Sequence, residues 1–234
     1  MNAIPLLGIV LAATTAILAA QVPLSQEPRH RVAFENAQFR ILDVNVPPGD
    51  TTLDHLHEFD IATVSMTGGT DTRLQSAGQP WSPVRPPRPL GDATVTEYTG
   101  KPGSHRLETV GRSAYQLFAV ENLRASGWST TPAASGTATK PVTESRAFRI
   151  YDVRLELERS QVRHMHAVPT IVVLIGGRAM SEGPDTQAKA NAPAPVGLKQ
   201  LDQPGQWILV PAGDTHYVVR LGTADARLVE IEVR

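Results

Sequence analysis

The segment Phe39-Arg40-Ile41-Leu42-Asp43-Val44 returns 109 residues later as Phe148-Arg149-Ile150-Tyr151-Asp152-Val153, and a His-x-His pair follows each copy. The same offset places His55-Leu56-His57 on His164-Met165-His166. Self-similarity at about 110 residues is too long for a solenoid unit and is typical of a duplicated small domain. The sequence therefore predicts two related domains.

Six of the seven histidines fall into two sets of three within this repeat. The sets are His55, His57 and His105, and His164, His166 and His216. Residues two apart on a β-strand point to the same face, so each His-x-His pair can present two imidazoles to one point. Neutral imidazole is the commonest metal ligand, and three of them leave coordination positions open for water or substrate. The spacing predicts two three-histidine metal sites.

The composition favours an all-β chain. Nineteen prolines and eighteen glycines punctuate the 234 residues, and no long stretch carries apolar residues at helical spacing. Short runs rich in Val, Ile, Leu and Thr predict strands at Phe39 to Val46, Ile61 to Met66, Thr170 to Ile175 and Trp207 to Val210. The formal net charge of −1 and the lack of a basic patch argue against nucleic acid as a partner.

The first twenty residues differ from the rest. Ile4 to Ala20 carries no charge and ends in Leu18-Ala19-Ala20, which predicts a secretory signal cleaved after Ala20. Met1 to Ala3 lacks Lys and Arg, so an uncleaved N-terminal membrane anchor stays open as an alternative. The chain has no cysteine, which excludes disulfides. These features predict a periplasmic or secreted bacterial protein.

The predicted organisation is a signal peptide at 1–20, a first domain at 21–125, a linker at 126–141 and a second domain at 142–234. The linker is rich in Ser, Thr, Ala, Gly and Pro. Another Pro-rich stretch, Pro80 to Pro89, is interrupted by Arg85 and Arg88 and is expected to be a surface loop, with a docking motif as the alternative.

Two motifs resemble those of the cupins. Pro48-Gly49 followed by His55-Leu56-His57 and Gly68 is similar to the first cupin motif, and Pro211-Ala212-Gly213-Asp214-Thr215-His216 is similar to the second. The resemblance covers nearly all of the chain after the signal segment. It implies a bicupin, with two double-stranded β-helix (jelly-roll) barrels in tandem and a metal site inside each.

One departure from the cupin pattern bears on the chemistry. The usual cupin site adds a glutamate four or five residues after the second histidine, where this chain has Ile61 and Ala62, and Thr170 and Ile171. The nearby acids Glu58 and Asp60 sit at odd offsets from His57 and should point away, unless a bulge turns Asp60 inward. The expected ligand set is three neutral imidazoles around a divalent ion, with no evident general base.

The metal could be Fe, Mn, Ni, Cu or Zn, because three nitrogens with open positions suit all five. Such a site should favour a small anionic organic ligand. An oxygenase, decarboxylase or isomerase fits this description, and a non-catalytic small-molecule or metal-binding module is the alternative. Arg220, four residues after His216, is a candidate to meet the anion, although an exposed surface arginine explains it equally well.

Other residues receive simpler interpretations. His30, outside the repeat, is expected to be solvated. Arg40 and Arg149, with Asp43 and Asp152, are expected to form ion pairs on the strand surface. Exposed strand edges would allow a homodimer, although no residue argues for one specifically.

Overall fold

The structure is a computed structural model that describes residues 21–131, 141–156, 163–184 and 196–234. The predicted signal segment lies outside the described residues, and so do residues 132–140 of the predicted linker. Among the described residues, no helix is long and apolar enough to cross a membrane.

Strands dominate the described residues, and the helical element among them is the short 3-10 turn Leu24–Gln26. The strands of residues 21–131, called the first half below, are β1 Val22–Pro23, β2 His30–Glu35, β3 Phe39–Val46, β4 His55–His57, β5 Asp60–Ser65, β6 Thr72–Ser76, β7 Ala93–Thr96, β8 Gly103–Thr109 and β9 Tyr115–Asn122. The strands of residues 141–234, the second half, are β10 Thr143–Glu144, β11 Phe148–Leu155, β12 His164–Met165, β13 Thr170–Gly176, β14 Ala179–Pro184, β15 Val196–Leu201, β16 Trp207–Val210, β17 Thr215–His216, β18 Val218–Arg220 and β19 Ala226–Val233. The all-β prediction is confirmed, and so are the four predicted strands.

Every sheet draws its strands from one half of the chain. The first half has a five-stranded sheet in the order β2-β3-β9-β5-β7 and a four-stranded sheet in the order β1-β4-β8-β6. The second half has a five-stranded sheet in the order β10-β11-β19-β13-β16, with smaller sheets β15-β14-β18 and β12-β17. All pairings are antiparallel except β1 with β4, which places the N-terminal segment beside the first His-x-His pair.

The central strands carry apolar residues on both faces, because each face packs on a different core. On β3, Leu42, Val44 and Val46 point into the core between the two sheets of the first half. Phe39 and Ile41 point the other way, into a cluster that also contains Phe148 and Ile231 of the second half. The two five-stranded sheets therefore pack outer face against outer face, which leaves their inner faces to line the sites.

The two halves follow the same strand register. Phe39 pairs with Asn122 on β9, and Phe148 pairs with Val233 on β19. His55 pairs with His105, and His164 pairs with His216. The first members of these pairs are 109 residues apart in the sequence and the second members are 111 residues apart, so corresponding histidines occupy corresponding places.

Several ion pairs differ from the expected ones. Arg40 pairs with Glu35 and Glu121, and Asp43 pairs with Arg31. The corresponding residues of the second half pair as Arg149 with Glu144 and Glu232, and Asp152 with Arg227 and Arg154. The expectation of strand-surface pairs is wrong for Arg149, which is buried and lies beside the second set of histidines.

Candidate metal centres

Each set of three histidines converges on one point. The first cluster is His55, His57 and His105, and the second cluster is His164, His166 and His216 with Glu230. Within each cluster the candidate ligand atoms lie within 4.8 Å of one another. The structure thus brings together the three histidines of each set that the sequence singled out.

The second cluster is fully enclosed, and its nitrogens are closely spaced. The Nε2 atoms of His164, His166 and His216 are 3.0, 3.0 and 3.1 Å apart. Imidazole nitrogens bound at about 2.1 Å to one ion lie about 3.0 Å apart when the bonds are at right angles. The spacing therefore fits one face of an octahedral metal site.

Glu230 adds a carboxylate to this cluster. Its oxygens lie 3.6–3.9 Å from the three Nε2 atoms, and its side chain is completely buried. Burial alone raises the pKa of Glu230, but the hydrogen bond with His164 and the charges of the other histidines outweigh it and lower the pKa. The residue therefore offers a carboxylate, and the donor set is three imidazoles and one anion.

A second glutamate orients one of these ligands. His166 Nδ1 lies 2.8 Å from Glu232 Oε1, and Arg149 Nη1 donates to Glu232 Oε2 at 2.9 Å. Because a carboxylate only accepts, His166 donates from Nδ1 and keeps the lone pair of Nε2 for a metal. The arrangement fixes both the tautomer and the ring orientation of His166.

The sequence interpretation did not include Glu230 and Glu232, and Glu230 joins the three histidines of the second cluster as a fourth possible ligand. Both lie on the central strand β19, where residues two apart face the same side. Ala226 and Leu228 on that side belong to the inner core, so the two carboxylates must also point inward. Acids spaced by two in a strand that is apolar apart from Arg227 were the available signal.

Among the residues that the structure describes, none adds such a carboxylate to the first cluster. In the shared register Ala119 on β9 stands where Glu230 stands on β19, since Ala119 pairs with Leu42 and Glu230 pairs with Tyr151. Asp60 does not replace it, because its carboxylate accepts from Arg146 and from the backbone N–H groups of Tyr98 and Thr99. The three-imidazole expectation therefore agrees with the described surroundings of this cluster.

The imidazoles of the first cluster are held neutral. His55 donates from Nδ1 to the carbonyl of Leu53 at 2.9 Å, which leaves Nε2 as its acceptor. Burial, followed by the charges of neighbouring histidines, lowers the pKa of His55 to about 4, of His57 to about 2 and of His105 to about 3. Nε2 of His55 and both ring nitrogens of His57 are buried with no hydrogen-bond partner among the described residues. Buried nitrogen acceptors without partners fit a metal site.

A cavity of about 640 Å³ opens beside the first cluster. Apolar side chains of β3, β8 and β9 form part of its wall, and His30, Arg85, Arg88, Tyr98 and Tyr115 add polar groups. The ring of Tyr98 stacks on His57 with centroids 4.6 Å apart. This centre can therefore admit a ligand of several heavy atoms directly beside its histidines.

The expectation that His30 is solvated is wrong. Its side chain is buried, its Nδ1 lies 2.6 Å from Glu27 Oε2, and its ring centroid is 4.7 Å from that of His55. The parallel pairing of Val22 with His55 brings the N-terminal segment to this place. Since Nδ1 is bound to Glu27, Nε2 is the ring nitrogen that His30 can offer to the cavity.

Arg220 is not brought into either cluster. Its guanidinium donates to the carbonyl of Ala224 at 3.1 Å, four residues along the chain. Its assignment to substrate binding stays a prediction from the sequence. The loop Pro80 to Pro89 contains no strand, as expected, but Arg85 and Arg88 both line the first cavity.

Comparisons with known proteins identify the fold. No protein-family model matches the sequence, and no curated protein is significantly similar to it in sequence. Among solved structures, the chain is similar to salicylate 1,2-dioxygenase from Pseudaminobacter salicylatoxidans, at 10% identity and a TM-score of 0.60 over 90% of this chain and 78% of that one.

Two further solved structures are similar. Oxalate decarboxylase from Lactobacillus farciminis, in its formate complex, matches at 10% identity and a TM-score of 0.56 over 85% of this chain and 78% of that one. A cupin 2 conserved barrel domain protein from Leptotrichia buccalis matches at 11% identity and a TM-score of 0.52 over 88% of each chain. The structural neighbours are thus cupin-fold proteins, and this chain shares their fold.

Proposed function

We propose that this chain is an exported bicupin metalloenzyme that acts on a small anionic organic substrate in the first cavity. The observation that carries the proposal is the convergence of two buried histidine clusters, one of which opens into a cavity of about 640 Å³. Its relatives in fold include a decarboxylase and a dioxygenase of small acids. The domains and export predicted from the sequence belong to the same proposal.

The lining of the first cavity favours catalysis over simple binding. A purely apolar wall would suit a binding module, whereas this wall places His30, Tyr98 and Arg85 around the cluster. A divalent ion held by His55, His57 and His105 would polarise oxygen atoms of a ligand and stabilise negative charge on them. Tyr98 can orient the ligand by packing and hydrogen bonding, and His30 can hydrogen-bond to it through Nε2.

The second centre has a different part in the proposal. Its four donor groups are completely buried, and Glu232 with Arg149 holds one of them in orientation. We assign it to metal binding with a higher affinity than that of the first centre. The donor set does not distinguish iron, manganese, nickel, copper and zinc.

The first experiment is elemental analysis of the protein purified without a metal-affinity tag, together with His57→Ala and His166→Ala. Two equivalents of transition metal per chain are expected, and each variant should lose one. Each variant serves as the control for the other. Loss of both metals in either single variant would contradict independent centres, and protein that refuses all five metals would overturn the proposal.

Activity and export need separate measurements. Oxygen consumption and carbon dioxide release should be followed with a panel of small carboxylates, and His57→Ala should abolish whichever activity is found. Turnover of no substrate by metal-loaded protein would favour the binding module. N-terminal sequencing of protein from the periplasm should begin at Gln21, whereas a retained Met1 in the membrane fraction would indicate the uncleaved anchor.

A further inference from the structure

Two arginines of the loop Pro80 to Pro89 line the first cavity, and among the described residues only the side chain of Arg88 has hydrogen-bond partners. Arg88 donates from Nε to Asp92 Oδ2 at 2.8 Å and from Nη1 to Thr63 Oγ1 at 3.0 Å. Its Nη2 donates to the carbonyls of Thr63 and Asp92. Arg88 is thus saturated with hydrogen bonds and holds the loop against the five-stranded sheet.

Arg85 is fixed through its backbone instead. Its N–H donates to the carbonyl of Thr72 at 2.7 Å, and its carbonyl accepts from Thr72 at 3.2 Å. These bonds attach the loop to β6, the edge strand of the four-stranded sheet. The position of the Arg85 Cα is therefore set by the sheet, which allows its side chain to serve as a defined binding group.

The guanidinium of Arg85 makes no hydrogen bond or ion pair with any residue that the structure describes, yet it lines the cavity. Burial raises the pKa of Tyr98 and of Tyr115, and in both the charge of Arg85 opposes that rise. Arg85, both phenols and His105 line the same cavity, so Arg85 can act on a ligand bound among them.

The charge balance of the cavity points to an anion. Asp92 is the one acidic side chain among the described lining residues, and Arg88 already neutralises it. The positive charge of Arg85 is not neutralised by any described lining residue, and a divalent ion in the cluster would add to it. Guanidinium binds carboxylate through two parallel hydrogen bonds. Arg85 therefore suits a planar carboxylate better than the compact ammonium of a lysine would.

We propose that Arg85 binds the carboxylate of the substrate in the first cavity and orients the rest of the molecule toward the first cluster. This inference rests on the proposed function and narrows its substrate class to small organic carboxylates. A phosphate or sulfate group can bind a guanidinium in the same two-bond manner, so inorganic phosphate is the competing anion in the test.

The test is a binding measurement that does not depend on turnover. Isothermal titration of metal-loaded protein would use acetate, oxalate and benzoate as probes, with acetamide, oxamide and benzamide as uncharged matches and inorganic phosphate as the competing anion. The variants are Arg85→Gln, Arg85→Lys and the control Arg112→Gln. Arg112 lies exposed in the turn before β9 and does not line the cavity.

At least one carboxylate should bind the wild type more tightly than its amide and more tightly than phosphate. Arg85→Gln should weaken that binding by about 10- to 100-fold, as for loss of a charged hydrogen-bond partner. Arg85→Lys should recover part of the affinity, and Arg112→Gln should leave it unchanged.

Three results would overturn the assignment: equal affinity in Arg85→Gln and wild type, equal binding of carboxylates and amides, or no binding of any carboxylate to the wild type. Metal content measured on the same samples separates the two proposals. Full metal content with unchanged carboxylate affinity in Arg85→Gln would refute only the role of Arg85, whereas absence of metal would refute the proposed function.

Discussion

The two histidine clusters occupy equivalent places in the strand register but differ in the charges around them. The second cluster faces the Glu230 carboxylate, and Glu232 fixes the orientation of its His166. The first cluster faces Ala119 and a cavity lined by Arg85, whose guanidinium has no partner in the described part of the chain. The same three imidazoles can therefore form a neutralised, enclosed metal site or a positively charged, open one, and the equivalent positions Ala119 and Glu230 contribute to this difference.

Exchanging the residues at the equivalent positions Ala119 and Glu230 should have the largest effect on metal affinity. Glu230→Ala removes the one anionic donor, so metal affinity at the second cluster should fall by more than the roughly 10- to 100-fold typical of losing an outer-shell partner. Ala119→Glu should raise metal affinity at the first cluster and reduce the space for ligands. Metal titration of each variant, with the unaltered cluster as internal control, measures both effects. Unchanged affinity in Glu230→Ala would show that Glu230 is not a ligand.

Substitution of the equivalent residues Glu232 and Glu121 should show the next largest difference in metal affinity between the clusters. Glu232→Gln removes the acceptor of His166 Nδ1, and metal affinity at the second cluster should fall about 10- to 100-fold. The corresponding Glu121 pairs with Arg40 as Glu232 pairs with Arg149, but Nδ1 of His57 has no hydrogen-bond partner among the described residues, and burial raises the pKa of Glu121 despite Arg40. Glu121→Gln should therefore leave metal affinity at the first cluster unchanged. Equal effects of the two variants, in a metal titration, would contradict the asymmetry.

A third comparison concerns the acid stability of the metal-free protein. Folding lowers the pKa of His55, His57 and His105 in the first cluster and of His216 in the second, mainly through burial. Between the folded and unfolded pKa values the unfolded chain binds more protons, so stability falls as the pH drops below about 6.5 toward 4. Each histidine contributes up to about 1.4 kcal/mol per pH unit.

Denaturant unfolding of metal-free protein at several pH values from 7.5 to 4.5 checks this expectation. His57→Gln should reduce the pH dependence by about one proton's contribution, because the buried imidazole no longer has to stay neutral. A pH dependence that is the same in wild type and variant would mean that His57 is not buried in the metal-free state.

Much of the fold was predictable because local patterns carry it. The structure has strands at Phe39–Val46 and Trp207–Val210, with the predicted bounds. The two histidines of each His-x-His pair point to the same cluster, as expected for residues two apart on a strand. Glu230 was not predicted, because its partners come from strands distant in sequence and an acid near the chain end is typical of an exposed position. His30 depended on the parallel pairing of β1 with β4, which no local pattern encodes.

The packing of the two five-stranded sheets against each other has a consequence for how the chain can change over evolution. One apolar cluster contains residues of both halves, among them Phe39, Phe118, Phe148 and Ile231. Deleting either half would therefore expose a broad apolar surface on the other. Each half thus covers the apolar outer face of the other half. Both halves are needed to bury this apolar face, whereas the inner cores beside the two histidine clusters are separate from it, so substitutions around either cluster leave the contact between the halves intact.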